Sequence, residues 1–181
     1  PRQAGKTTFI QNLAKRFEQE RKKVKFITFE KKADLDLFNN NLEDFRKIAQ
    51  QYEVVFIDEF QYSRDGGQKL KYLYDTTKIK FIVSGSSSLE LTFQTGKYVV
   101  GRLIEFSLMP FSFREFLSAK DREMFVVLEN ISGADIFSFN LKNALGREIN
   151  SRLAALLEEY LVFGGYPAAV LSDGAEEKKK I

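Results

Sequence analysis

The chain has 181 residues, 44% of them hydrophobic and 29% charged, a composition that excludes a disordered, collagenous or low-complexity protein. It contains neither Cys nor His, so a disulfide framework, a thiol nucleophile, an imidazole base and a zinc site of the usual kind are excluded. With 28 basic and 25 acidic side chains the net charge is +3, a weak pull toward nucleic acid, and no apolar run approaches the roughly 20 residues that cross a bilayer.

This length suits one ordinary domain, or one domain and the start of another. The chain opens on Pro1 and stops within a charged stretch, which reads as a piece of a longer protein. The absence of Cys is compatible with a reducing cytosol, and a cytoplasmic location is the expectation. The basic runs at 21–23 and 178–180 are expected to be solvated helix ends or tails.

Residues 6–21 carry Phe9, Ile10, Leu13, Ala14 and Phe17 at spacings of three and four, which predicts a helix with one apolar stripe. A short strand is predicted over 24–29. The helical pattern returns over 34–51 through Leu35, Phe38, Leu42, Phe45 and Ile48. The unbroken apolar run Val54-Val55-Phe56-Ile57 is what a parallel strand covered on both faces requires, and it ends in Asp58-Glu59. After a turn at 63–67, a helix is predicted from 68 to about 75, followed by a strand over 79–83 that runs into Ser84-Gly85-Ser86-Ser87-Ser88. A further strand is predicted over 103–109. From Ser112 the pattern becomes mostly helical, clearest over 141–163, and Gly164-Gly165-Tyr166-Pro167 interrupts it. Strands alternating with helices predict βαβ units, hence an α/β fold with a parallel sheet between helical layers. Residues 1–111 are the predicted core, and 112–181 a small, mostly helical, lid-like part.

Pro1-Arg2-Gln3-Ala4-Gly5-Lys6-Thr7-Thr8 supplies seven of the eight positions of a phosphate-binding P-loop, G-x-x-x-x-G-K-[ST]; the missing first Gly would be residue zero. In such a loop the backbone N–H groups of Arg2, Gln3, Ala4, Gly5, Lys6, Thr7 and Thr8 face the phosphates, helped by the helix dipole. Lys6 would reach the β- and γ-phosphates, and the Thr7 hydroxyl would hold Mg²⁺. A Gly-Lys-Thr turn that merely starts a helix is the alternative. The strand ending in Asp58-Glu59 adds a Walker B pattern: Asp58 would join the Mg²⁺ shell and Glu59 would polarise an attacking water. The alternative is a strand ended by acids because they are hydrophilic.

Ser84 and Ser86 stand where open α/β sheets bind ligands, and either could contact a γ-phosphate or the attacking water; a Ser-rich helix cap accounts for them as well. Arg102 could approach a γ-phosphate of its own or a neighbouring subunit, a contact worth roughly 10³ to 10⁵ in rate, or it could pair with Glu105 at the surface. Gly165 and Pro167 read either as nucleotide contacts or as a glycine helix stop followed by a proline-started helix.

Taken together, Gly5-Lys6-Thr7-Thr8, residues Val55 to Gln61, Ser84-Gly85-Ser86-Ser87, Gly101-Arg102 with Pro110 to Phe116, and Gly164-Gly165-Tyr166-Pro167 resemble the prokaryotic AAA-type ATPases of the AAA_14 group, which usually carry a DUF4143 domain toward the C-terminus. The resemblance covers nearly the whole chain in the right order. It implies a P-loop ATPase that acts on a phosphoric anhydride with ATP and Mg²⁺ as cofactors. Lys6, Thr7, Asp58 and Glu59 match Walker A and B, Ser84 to Ser86 match sensor 1, and Arg102 matches the family's Gly-Arg. Gly165 to Pro167 are similar to the Gly-x-Pro motif of related signalling NTPases, which approaches the nucleotide. In such a sheet the strand before the P-loop is central; it lies upstream of Pro1, and without it the neighbouring strand edges and apolar faces are expected to be exposed, leaving the piece poorly stable and a weak nucleotide binder.

The leading expectation is an ATPase module that drives or switches an attached domain or partner, with a homo-oligomer and weak nucleic-acid binding as further expectations. Two other readings share the P-loop: a small-molecule kinase, against which Glu59 counts because a water-activating carboxylate would waste ATP, and a non-hydrolysing, nucleotide-gated interaction or DNA-binding module.

Overall fold

The computed structural model describes residues 3–86, 104–132, 146–172, 174 and 178. Two compact units are present, one spanning Lys6–Ser107 and the other joining Gln3–Gly5 to Leu108–Ile181. The first is an α/β unit. Its elements run α1 (Lys6–Gln19), β1 (Val24–Thr28), α2 (Lys32–Asn40), α3 (Leu42–Ala49), β2 (Val54–Asp58), a 3₁₀ turn (Phe60–Tyr62), α4 (Gly66–Thr76) and β3 (Lys80–Val83).

The three described strands form one parallel sheet in the order β1-β2-β3, with Thr28 opposite Asp58 and Ile57 opposite Val83. All five residues of β2 are buried, as an apolar run in the middle of a parallel sheet demands. Alternation along β2 divides them between two cores. Val55 and Ile57 join Ile27 and the helical residues Phe38, Phe45, Ala49, Leu70 and Leu73, while Val54 and Phe56 pack with Ile10 and Ala14 of α1. Phe29, Phe38, Phe45 and Phe60 form the densest part of the larger core, with Phe38 rings 5.0 Å from Phe29, 5.1 Å from Phe45 and 5.7 Å from Phe60.

Three predicted boundaries change. The single helix read over 34–51 is two, because Asn41 leaves helical geometry (φ −133°, ψ 56°) while its N–H still bonds the Leu37 carbonyl and its own carbonyl starts α3. The helix read from residue 68 begins earlier, at Gly66, within a glycine pair that had read as turn. No strand forms over 104–109: these residues pair with no other strand among the described residues, and Ile104, Phe106 and Met109 are exposed. An apolar run becomes a strand only against a partner edge, and none of the described strands supplies one here.

The second unit contains α5 (Phe113–Lys120), α6 (Arg122–Ser132), α7 (Arg147–Phe163) and α8 (Pro167–Leu171). Its core is Phe116, Leu117, Met124 and Val170, surrounded by partly buried residues that include Phe113, Leu153, Leu156 and Tyr160. A capping box opens α5: the Ser112 hydroxyl accepts the Glu115 N–H, and the Glu115 carboxylate accepts the Ser112 N–H at 2.8 Å. At the next junction Arg152 pairs with Asp121 at 2.7 Å and with Glu123 at 2.9 Å. Lys178 corrects the expectation of a solvated basic tail. It is buried, 2.5 Å from the Glu159 carboxylate and 5.5 Å from the Phe163 ring centre, because its aliphatic stem covers apolar surface while the ammonium finds an acid. Among the described residues no helix is long and apolar enough to cross a membrane.

Candidate functional site

The carboxyl edge of the sheet collects the polar residues singled out from the sequence. Asp58 is the last residue of β2 and is only 4% exposed, so its two oxygens must find partners within the protein. They do. The Thr7 hydroxyl, one residue into α1, donates to Asp58 Oδ2 at 2.8 Å, and the Ser84 hydroxyl, just past β3, donates to Asp58 Oδ1. Hydroxyls from α1 and from the turn after β3 thus converge on one carboxylate at the end of β2. Register fixes this: Phe29 N–H bonds the Asp58 carbonyl at 3.0 Å, and Ser84 N–H bonds the Ile57 carbonyl at 2.9 Å, so all three strands end at the same level. No buried side-chain polar atom among the described residues lacks a partner.

Immediately after Asp58 the backbone turns back. Glu59 adopts the left-handed conformation (φ 55°, ψ 42°), uncommon for a residue with a side chain and found where surrounding structure over-determines it. What holds it is the next residue. Phe60 is fully buried against Phe29 and Phe38, its N–H bonds the Ser84 carbonyl at 2.9 Å, and its carbonyl accepts the Ser63 hydroxyl at 2.7 Å. Glu59 is therefore half-buried at the sheet edge, one residue from Asp58, on a backbone pinned at both sides. Its carboxylate accepts the Gln61 side-chain N–H, and Gln61 Oε1 in turn accepts the Ser86 backbone N–H at 3.2 Å.

Lys6 and Thr8 lie in the first turn of α1, Lys6 half-buried and Thr8 exposed. Before them, the loop needs positive φ at Gln3 (63°) and at Gly5 (84°), and Ala4 is buried. In the unit that contains this loop segment, a Cβ on Gly5 would stand 3.5 Å from Pro167 Cγ. Pro167 is the first residue of α8 and follows the Gly164 end of α7, so the helix stop and the proline start are both present. Gly165 has a different reason to be glycine. A Cβ there would lie 1.9 Å from the Phe111 carbonyl oxygen, and its own carbonyl accepts the Phe111 N–H at 2.7 Å. Tyr160 completes this knot by donating its hydroxyl to the Phe111 carbonyl at 2.9 Å.

Of the sequence candidates, the structure brings together Thr7, Asp58 and Ser84 by direct bonds, sets Glu59 and Ser86 beside them, and pairs Gly5 with Pro167. Arg2 and Arg102 lie outside the described residues, as do Ser87 and Ser88. Gln61 had no assigned role from the sequence. Its signal there is its place two residues after the second carboxylate, at the end of the Val55 to Gln61 segment that carries the resemblance, and that becomes meaningful once the left-handed Glu59 folds the chain back.

The donor set fits a divalent cation with phosphate. A hydroxyl and a carboxylate held within 2.8 Å of each other are the hard oxygen ligands Mg²⁺ takes, one or two from protein and the rest from water and phosphates. Thr7 and Asp58 are the residues that would hold it.

A family model described as an AAA domain, AAA_14, matches residues 1–117 of the chain. An uncharacterized protein of Methanocaldococcus jannaschii is 27% identical over 184 aligned positions, covering 99% of this chain and 37% of the relative. A second from the same organism is 31% identical over 83% of this chain and 30% of its own length, and an uncharacterized protein of Haemophilus influenzae is 27% identical over 72% and 28%. The chain spans about a third of the length of these curated relatives. No solved structure matches it. The matched residues include Gly5-Lys6-Thr7-Thr8, the Asp58-Glu59 strand end and the Ser84 turn, and the chain belongs to the AAA domain family, AAA_14, a nucleotide-binding, ATPase-like family with a P-loop α/β fold.

Proposed function

We propose that the protein binds ATP with Mg²⁺ and hydrolyses its terminal phosphoric anhydride, using the nucleotide state to drive or switch an attached domain or partner. The bond from the Thr7 hydroxyl to Asp58 carries this reading, since it joins the residue after the P-loop lysine to the strand-end carboxylate, the two groups that share one Mg²⁺ in P-loop NTPases. Bound Mg²⁺ would supply charge neutralisation to the β- and γ-phosphate oxygens. The remaining parts belong to the chain. Lys6 offsets negative charge at the β- and γ-phosphates, and backbone N–H groups from Gln3 to Thr8 orient them. Glu59 takes the proton of the attacking water as its oxygen bonds the γ-phosphorus and the bond to the bridging oxygen breaks, giving ADP and phosphate.

In this reading residues 1–111 supply the nucleotide-binding core, Ser84 and Ser86 sense the γ-phosphate, Arg102 contacts it from the same or a neighbouring subunit, and Gly165 and Pro167 respond to nucleotide near Gly5. The full-length protein, titrated with ATP with and without Mg²⁺, tests the binding half. Lys6→Ala should weaken ATP by about tenfold or more, and Asp58→Asn should remove most of the Mg²⁺-dependent gain. Wild-type affinity in both variants would contradict the assignment.

A further inference from the structure

We propose that Gln61 is a positioning residue for Glu59, tying its carboxylate to the turn after β3. This rests on the hydrolysis reading above. Gln61 lies in the 3₁₀ turn whose backbone is fixed by the buried Phe60 side chain, the bond from Phe60 N–H to the Ser84 carbonyl, and a Tyr62 N–H bond to the Glu59 carbonyl at 3.1 Å. From that anchored point its half-buried carboxamide uses its two ends on two different partners. Nε2 donates to Glu59 Oε2, and Oε1 accepts the Ser86 N–H at 3.2 Å.

The two partners have opposite character, an acceptor carboxylate and a donor amide, so they fix which way the carboxamide faces; reversed, it would set oxygen against carboxylate and N–H against N–H. No other side-chain type of this length satisfies both. A Glu would place a second carboxylate against Glu59, and a Met would bond neither. The consequence for Glu59 is that one oxygen is committed and the carboxylate plane is set, while Oε1, which accepts no hydrogen bond among the described residues, keeps its lone pairs for a water proton. The consequence for the sheet edge is mechanical. The far end of the tether is the backbone of the Ser84–Ser86 turn, so a shift of that turn on meeting a phosphate reaches the Glu59 carboxylate through the Gln61 carboxamide, beside the backbone link from Ser84 to Phe60.

The test is a double-mutant cycle in the full-length protein, with kcat and KM for ATP, nucleotide affinity and thermal midpoint measured for wild type, Glu59→Gln, Gln61→Met and the double variant, and Gln61→Glu as a second probe. Gln61→Met should lower kcat by about tenfold or more with KM and nucleotide affinity within about twofold of wild type. Gln61→Glu, which keeps the acceptor for Ser86 but repels Glu59, should lose at least as much. In the Glu59→Gln background, Gln61→Met should cost nothing further, because the group it positions is already gone. Additive losses in the cycle, or a wild-type kcat in both Gln61 variants, overturn the positioning role while leaving hydrolysis intact. Absence of phosphate release from wild type overturns the hydrolysis reading and the positioning role with it.

Discussion

The α/β unit and the helical unit bury their apolar side chains in different ways. In the first, β2 is covered on both faces, and the ten large side chains that are essentially inaccessible among the described residues include Phe29, Phe38, Phe45, Phe56, Phe60, Ile57, Leu73 and Val55, all in this unit. In the second, the 17-residue α7 has no fully buried residue, and its Leu157, Leu161 and Val162 are 41%, 73% and 66% exposed. The contrast separates two ways of holding groups in place. Asp58 and Glu59 stand at the end of a strand that cannot shift without disturbing two cores, the close-packed kind of support that holds side chains in place. The helical unit relies on a small cluster plus local devices: the capping box at Ser112, the Arg152 pairs, the Gly165 to Phe111 knot.

If that contrast is right, the largest loss comes from emptying the aromatic core. Phe38→Ala should destabilise the protein by about 3 to 5 kcal/mol, the cost of lost burial and the cavity left by a ring packed against three others. Denaturant unfolding measures it, and a loss below about 1 kcal/mol would mean that the α/β unit is not the rigid half.

A smaller effect belongs to the start of α5. The Ser112 N–H and hydroxyl hold the Glu115 carboxyl below its ordinary range. A carboxyl with a depressed folded value contributes stability that is present above its unfolded value and is lost as pH falls through the folded one, so acidification should loosen this helix start. Ser112→Ala should cost about 1 kcal/mol at neutral pH, and Glu115→Gln should flatten the acid-side loss. Amide exchange across residues 113–120 as a function of pH would show both; equal acid sensitivity in wild type and Glu115→Gln would remove the cap from the account.

The parts legible in the sequence are those set by composition of a single element. Val54 to Ile57 has the unbroken apolar run that a doubly covered strand needs, and Gly5-Lys6-Thr7 ahead of an amphipathic helix marks where that strand's carboxylates would be met. What escaped depends on distant partners. Leu35, Phe38, Leu42 and Phe45 keep helical spacing straight through the break at Asn41, because periodicity reports the buried face and both helices bury theirs in the same core. The run over 104–109 has strand composition, but pairing is decided by another segment's edge. Gln61 escaped for a third reason. Its partners Glu59 and Ser86 come within reach only after the chain reverses at a left-handed residue, which no spacing rule anticipates. Lys178 likewise looked like tail until Glu159 was found beside it.

The most direct test of the central claim is Mg²⁺-dependent phosphate release from ATP by the full-length protein beside its Glu59→Gln variant, with ATP affinity measured in parallel. The account predicts turnover in wild type and a loss of about a hundredfold or more in the variant with binding retained. Equal turnover in the two proteins, or ATP binding with no phosphate release from wild type, would contradict it.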